Sequence, residues 1–184
     1  SRGLGDVYKR QRQDTLEANV LAAIQLQVEA ALDYDKLLDK LRGSEGEKNI
    51  RDQQNALITS LNLRLNGVSN KRTRLYEDYA EGLLDEAEYS FAKKSYDEQY
   101  ADLSRRLDEA VQRRSKFDEA MSVDNKWITL MKSVSTATQL SQDLVDESVE
   151  LVKVHEGGAV ELVMKYGDIY ELTIQSIKEV QEAM

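Results

Sequence analysis

Residues Asp78 to Tyr89 read DYAEGLLDEAEY, and this stretch decides how the chain folds back on itself. Gly82 suits the left-handed position just past a helix C-terminus, because glycine has no Cβ to clash there. Asp85 fits the N-cap of a following helix, and Glu88 stands three residues later, where a capping box needs a carboxylate. These turn-defining residues predict a tight antiparallel turn between two helices, with its tip at residues 82–88.

Apolar residues step by threes and fours on both sides of this turn, which is the heptad pattern of a coiled coil. The first arm has its seam at Ile50, Gln54, Ile58, Leu61, Leu65, Val68, Arg72, Leu75 and Tyr79. The second arm has its seam at Tyr89, Lys93, Tyr96, Tyr100, Leu103, Leu107, Ala110, Arg114, Phe117 and Met121. We therefore predict an antiparallel coiled-coil hairpin over residues 47–121, about 50 Å long at 1.5 Å per residue. The polar seam residues Arg72 and Arg114 are expected to fix its register.

The tip is the candidate protein-interaction site. Leu84 and Tyr89 occupy the positions of a hydrophobic staple, and several tyrosines cluster nearby. These rings either fill the seam or stay exposed as anchors, since tyrosine is favoured at interface hot spots. The candidate interaction residues are Tyr76, Tyr79, Leu83, Leu84 and Tyr89.

The segments on either side of the hairpin predict a mixed base. Residues 12–46 form an N-terminal helix from Thr15 to Leu41, with Asp14 or Thr15 as N-cap, followed by a loop at residues 42–48. Residues 122–184 add, in order, a short helix capped by Asp124, a helix over 139–151, strands near 151–155 and 159–166 around Gly157-Gly158, and a final helix. The predicted fold is mainly α: a long antiparallel coiled-coil hairpin projecting from a small α+β base that ends in a β-hairpin. A lone two-stranded ribbon is marginally stable, so we expect this hairpin to complete a larger sheet.

The composition supports this architecture and excludes several function classes. The 184 residues include no proline, which favours long helices, and no cysteine, which excludes disulfides and thiolate zinc sites. The net charge of −9 repels phosphate backbones. No apolar run approaches the ~20 residues that span a bilayer, so no membrane partner is expected.

No residue pattern predicts catalysis or metal binding. His155 is the only histidine and lacks cysteine neighbours or a nucleophile at a recognisable spacing, so we expect an exposed strand residue. The acidic residues between 143 and 150 are expected to form a solvated helix face. We therefore predict no catalytic, metal-binding or cofactor-binding residues.

Residues 1–11, SRGLGDVYKRQ, match the in-frame translation of a transposase-based sequencing-library adapter over eleven consecutive codons. We therefore interpret them as an artefact of sequence assembly. The native gene is expected to continue upstream of Arg12, so that this chain is a piece of a longer parent.

Several stretches resemble the C-terminal portion of the large serine recombinases, which include phage integrases. They are DTLEANVLAAIQLQV (14–28), LYEDYAEGLLDEAEYSFAKKSYDEQ (75–99), DLVDESVELVKVH (143–155) and VELVMKYGD (160–168). The resemblance implies a cytoplasmic, bacterial or phage-encoded parent of a mobile genetic element. Its serine catalytic domain, recombinase domain and zinc ribbon would lie upstream, so zinc is expected there and no cofactor here. The piece itself would then be no enzyme, and DNA would be contacted mainly by the other domains.

In that family the coiled coil mediates contacts between subunits in synapsis and directionality control. The implied partners are other recombinase subunits, through the coiled-coil tips, and a directionality factor. The alternative is a stand-alone coiled-coil scaffold or chaperone-like binding protein. Upstream cysteines favour the recombinase, whereas further upstream heptads favour the scaffold.

Overall fold

A computed structural model describes the backbone of residues 2–155 and 159–184, and the side chains from residue 13 onward within those ranges. The elements in order are α1 Arg2–Leu41, α2 Glu45–Ala80, α3 Glu86–Met121, α4 Lys126–Ser133, α5 Gln142–Ser148, β1 Val149–Val154, β2 Val160–Met164 and α6 Gly167–Glu182. They divide into two compact units. One runs from α1 through Ser44 and from Glu119 to Glu182, and the other is the hairpin unit, residues 45–118.

Helix α1 begins earlier than the sequence predicts. The expected start at Thr15, with Asp14 or Thr15 as N-cap, is wrong, because the backbone is helical from Arg2 to Leu41. A residue that is able to cap ends a helix only where the preceding backbone leaves the helical region. No proline before Thr15 forces that departure.

The break after α1 is shorter than the predicted loop at residues 42–48. Gly43 has a φ of +74° just past the helix end, and α2 already begins at Glu45. Ser44 and Glu47 have the spacing of a capping box, a helix-start signal that overrides the loop propensity of nearby Gly46.

The two arms of the hairpin unit pack along the predicted seam. Leu61 and Val68 of α2 and Leu103 and Ala110 of α3 form a buried cluster. Partly buried side chains that pack against it are Ile58, Leu65, Tyr96, Tyr100 and Leu107. All nine are predicted seam positions, so heptad spacing identified the faces that meet.

Polar contacts between the arms fix their register. The pairs are Arg51 with Asp118, Arg114 with Asn55 (Nη1 to Oδ1, 2.5 Å) and Arg72 with Asp97 (Nη2 to Oδ1, 2.8 Å). Arg72 and Arg114, the two arginines expected to set the register, thus each contact a residue of the opposite arm. A slip of one helical turn would separate all three pairs.

The other unit is built around a buried aromatic group. The Trp127 side chain of α4 is fully buried, and its ring lies 4.6 Å from that of Tyr170 and 6.1 Å from that of Tyr34. These rings come from α4, α6 and α1, helices that pack against one another. Segments more than 130 residues apart in sequence, on α1 and α6, therefore share one core.

The cap of α4 is Asn125, and the prediction of Asp124 is wrong. The Asn125 side chain is buried, and its Oδ1 accepts from the Ile128 N–H at 3.1 Å. Its Nδ2 donates to the Ala120 carbonyl at 2.9 Å and to Thr173 Oγ1 at 2.8 Å. An amide satisfies all three bonds, whereas a buried carboxylate cannot donate.

The predicted helix over residues 139–151 is also too long. Helix α5 covers Gln142–Ser148, with Ser141 as N-cap, and the chain then extends into β1. Val149, Val152 and Val154 are β-branched, which favours a strand once a partner is present.

The sheet is antiparallel and, within the described residues, two-stranded. Val154 pairs with Val160 and Val152 with Leu162, with an irregularity between Val149 and Leu151. The predicted Gly157-Gly158 turn lies outside the described residues. The predicted fold class is confirmed at this level: a mainly helical chain with long packed helices and a small antiparallel sheet near residue 155. None of the described helices is both long enough and apolar enough to cross a membrane.

Candidate protein-interaction site at the hairpin tip

The turn between α2 and α3 has the geometry that its sequence predicts. Gly82 has a φ of +75°, in the left-handed region. Its N–H donates to the Tyr79 carbonyl at 3.1 Å, and the Leu83 N–H donates to the Asp78 carbonyl at 2.9 Å. These two bonds form a Schellman motif, which satisfies the last carbonyls of α2 and reverses the chain.

The capping box at the start of α3 is complete. Asp85 Oδ1 accepts from the Glu88 N–H at 2.8 Å, and Glu88 Oε2 accepts from the Asp85 N–H at 3.0 Å. The turn is therefore hydrogen-bonded at both ends, which gives the tip a defined shape without any ligand.

The five candidate interaction residues divide into two groups. Tyr76 and Leu83 are strongly exposed, at 62% and 67%, whereas Leu84 and Tyr89 are half-buried. Tyr79, at 37% exposed, stacks on Tyr89 of the other arm with 4.3 Å between the ring centroids. The stacked pair closes the end of the hairpin, and Tyr76 and Leu83 are left as apolar surface.

The structure adds a residue that the sequence analysis missed. Phe91 is 82% exposed, only three residues after the tip at residues 82–88. The sequence does carry a signal for it, because Phe91 lies two residues after the seam residue Tyr89 and therefore off the seam. Tyr96 and Tyr100, by contrast, pack against the seam cluster. Some aromatic rings of the hairpin therefore fill the seam, and others stay exposed, so both alternatives for these residues occur.

A shallow groove of about 360 Å³ lies beside the tip. Its lining includes Tyr76, Tyr89, Arg72, Lys93 and Asp97, together with the hydroxyl residues Ser69 and Thr73. The Asp97 carboxylate is shared by two cations, Arg72 at 2.8 Å and Lys93 Nζ at 2.7 Å. Two cations against one carboxylate leave this groove with an excess of positive charge.

The hydrogen bond from Lys93 is the largest influence on the pKa of Asp97 and lowers it; burial opposes this effect, and the positive charges of Lys93 and Arg72 add to it, so that the pKa is lowered overall. The same hydrogen bond raises the pKa of Lys93. Arg72 also lies over the Tyr100 ring, with its guanidinium carbon 4.9 Å from the centroid. The cationic side of the groove is thus held in place by ionic and cation–π contacts.

Charge is strongly segregated along this end of the hairpin. No lysine or arginine occurs between Arg74 and Lys93, and the acidic residues there are Glu77, Asp78, Glu81, Asp85, Glu86 and Glu88. The tip is thus acidic and apolar, whereas the adjoining turns of both helices are basic. Such a surface is suited to binding another protein.

The other polar residues singled out in the sequence lie away from the tip. His155 is exposed, as predicted, but it lies one residue past the end of β1, and its Nε2 lies 3.1 Å from Glu161 Oε2 on β2. Part of the predicted acidic helix face is present, because Asp143, Asp146 and Glu147 of α5 lie along an open groove beside Lys165. Among the described residues no group of three or more histidine or carboxylate side chains is arranged to hold a metal ion.

Comparison with protein-family models, with curated proteins and with solved structures finds no match to this chain.

Proposed function

We propose that this chain is the C-terminal piece of a site-specific DNA recombinase of the large serine recombinase type, and that its hairpin tip makes contacts between subunits during synapsis. The observation that supports this proposal is the tip itself: a turn fixed by its own hydrogen bonds exposes Leu83, and Tyr76 is exposed near the end of α2. Large apolar side chains on a rigid, solvated turn are characteristic of a protein-binding surface.

The resemblance in sequence supports the choice of parent. The quoted stretch over residues 75–99 coincides with the turn, the stacked tyrosines and the basic groove. In this proposal the serine catalytic domain and the zinc ribbon lie upstream, the complex acts in the cytoplasm, and a directionality factor acts on the same hairpin.

The acidic charge of the chain agrees with a role in protein contacts. At −9, the piece gains little from a phosphate backbone, so DNA affinity in the parent comes from other domains. The tip brings subunits together, and the strand exchange chemistry is done elsewhere.

The first test is the nucleotide sequence upstream of the codon for Arg12 in the source DNA. We expect a frame that encodes clustered cysteines and, farther upstream, a serine recombinase catalytic domain. A frame with further heptads and no such domain would overturn the proposal. It would favour a stand-alone scaffold or chaperone-like protein, which the exposed apolar tip also suits.

The second test is synapsis by the full-length parent carrying Leu83→Asp. Leu83 is 67% exposed, so the substitution is expected to leave folding intact and to reduce paired-site complexes about tenfold in a gel-shift assay. Leu63→Asp is the matched control, because Leu63 is 68% exposed on α2 and lies well away from the tip. Equal synapsis by both variants would contradict the role of the tip.

A further inference from the structure

The acidic tip and the basic groove lie on the same chain and have complementary surfaces. The tip presents exposed carboxylates beside Leu83, whereas the groove presents Arg72 and Lys93 beside two tyrosine rings. Each surface therefore offers the other an ionic and an apolar contact.

We propose that the groove of one chain receives the acidic turn of a second copy, and that the reverse contact forms at the same time. Glu86 of each copy then lies against Lys93 of the other, and Leu83 covers the exposed edge of the partner's Tyr76. This inference rests on the proposed function, because it specifies how two tips pair.

The spacing along α3 permits this reciprocal arrangement. Glu86 and Lys93 are seven residues apart, which corresponds to a rise of about 10 Å. Two hairpins that overlap by this length, side by side and pointing in opposite directions, are related by a two-fold axis between the two residues. Every contact then occurs twice, as in an isologous interface.

The charge pattern selects this geometry over an end-to-end contact. Two tips that meet head-on bring carboxylates such as Glu81 and Asp85 of both copies together, and like charges repel at short range. A shift of about two helical turns replaces this repulsion with attraction. The overlap is small, so we expect a weak and reversible contact, suited to a complex that must assemble and separate.

Disulfide trapping tests the geometry directly, because the chain contains no cysteine of its own. Ala87 is exposed at the tip, and Tyr76 is exposed and lines the groove. A mixture of Ala87→Cys and Tyr76→Cys chains is expected to form the mixed disulfide dimer under mild oxidation, identified by mass spectrometry. Ser60→Cys, also exposed on α2 but outside the groove lining, replaces Tyr76→Cys in the control mixture.

Charge reversals then test the ionic contact in the same assay. Glu86→Lys on the Ala87→Cys chain, or Lys93→Glu on the Tyr76→Cys chain, is expected to slow trapping about tenfold. The two reversals together restore the opposite charges and are expected to restore trapping. Glu98→Lys and Lys116→Glu, exposed positions on α3 outside the groove, are the matched controls and leave trapping unchanged.

The outcomes separate this inference from the proposed function. The pairing is overturned if the Ser60→Cys control mixture is trapped as fast as the test mixture. It is also overturned if the charge reversals leave the trapping rate unchanged. Preferential Ala87→Cys homodimers, which indicate head-on tips, also overturn it. In either case a synapsis defect in the Leu83→Asp parent would still support the recombinase. Charge-dependent trapping with no recombinase domain upstream would support the pairing and refute the parentage.

Discussion

Two glycines of the hairpin unit make opposite demands on the backbone. Gly82 has a φ of +75° at the turn, whereas Gly67 lies in the interior of α2, and a Cβ built at either position meets no atom within 4 Å. Any change on substitution by alanine therefore comes from the backbone alone. We expect Gly82→Ala to lower the free energy of unfolding by about 1 kcal/mol, because an L-residue is strained in the left-handed region.

Gly67→Ala is the matched control and acts in the other direction. It should raise the free energy of unfolding by about 0.5–1 kcal/mol, since alanine is the better helix former. Urea denaturation followed by circular dichroism measures both variants. A neutral or stabilising Gly82→Ala would show that the turn does not need the left-handed conformation.

Asp97 provides a pH-dependent element close to the candidate site. Its pKa is lowered from 3.8, chiefly by the hydrogen bond from Lys93. A lowered carboxyl pKa means that the native contact contributes stability above the pKa of the unfolded chain, and that this contribution is lost as the pH falls through the lower, folded value. We expect an NMR titration of the Asp97 carboxyl carbon to show a midpoint below 3.8.

Lys93→Met tests the cause of this shift. Without the ammonium group, the titration midpoint of Asp97 is expected to rise towards 3.8. Arg72 still lowers the pKa of Asp97 in this variant. A midpoint at or above 3.8 in the unmodified chain would contradict the contact.

At the residue scale, the sequence predicts what depends on neighbours along the chain. Gly82, Asp85 and Glu88 act within one turn of the backbone, so their spacing alone carries the signal. Asn125 is different, since its burial depends on Thr173, 48 residues later. Nothing near residue 125 in the sequence reveals that partner, and the exposed Asp124 is an equally favourable N-cap residue by type.

Among the elements, the hairpin seam allows a comparison between two leucines of one helix. Leu61 is 2% exposed and belongs to the buried cluster, whereas Leu63, two residues away, is 68% exposed. We expect Leu61→Ala to lower the free energy of unfolding by about 2–4 kcal/mol, because it removes buried surface and leaves a cavity.

Leu63→Ala has the same effect on helix propensity and removes no core contact. It should change the free energy of unfolding by less than about 0.5 kcal/mol. Chemical denaturation of the two variants compares them directly. Similar losses in both would mean that the arms do not meet along the predicted seam.

Heptad spacing predicts the seam well because it depends only on the period of a helix. Heptad spacing does not predict which polar side chains contact each other across the seam. Arg51 is not a seam position, yet it bridges to Asp118 and lies over the Phe117 ring at 5.5 Å. Such contacts follow from the register of the two arms, which the apolar pattern leaves open by one helical turn.

For the chain as a whole, the division into units could not be read from local patterns. The sequence predicts a base from the segments that flank the hairpin, but it does not show that α1, α4 and α6 share one core around Trp127. Long-range packing of this kind is set by the shape of the assembled helices. Local periodicity shows which face of a helix is apolar but does not show which other helix covers it.

The charge of the whole chain makes a prediction about nucleic acid. At −9, the chain repels phosphates over distances of about one Debye length, ~8 Å at physiological salt. We expect no complex with a 40-base-pair duplex tighter than about 10⁻⁴ M at 150 mM salt, measured by fluorescence anisotropy. A basic DNA-binding domain of similar size, titrated in the same buffer, is the control.

Micromolar binding that weakens steeply with added salt would contradict this prediction. It would require a local basic surface strong enough to overcome the net charge, and the turns around Arg72 and Lys93 would supply that surface. In that case the groove would bind phosphate in place of the acidic turn of a second copy, and Glu86→Lys would strengthen DNA binding. Weak binding together with charge-dependent trapping would instead assign the groove to protein contacts.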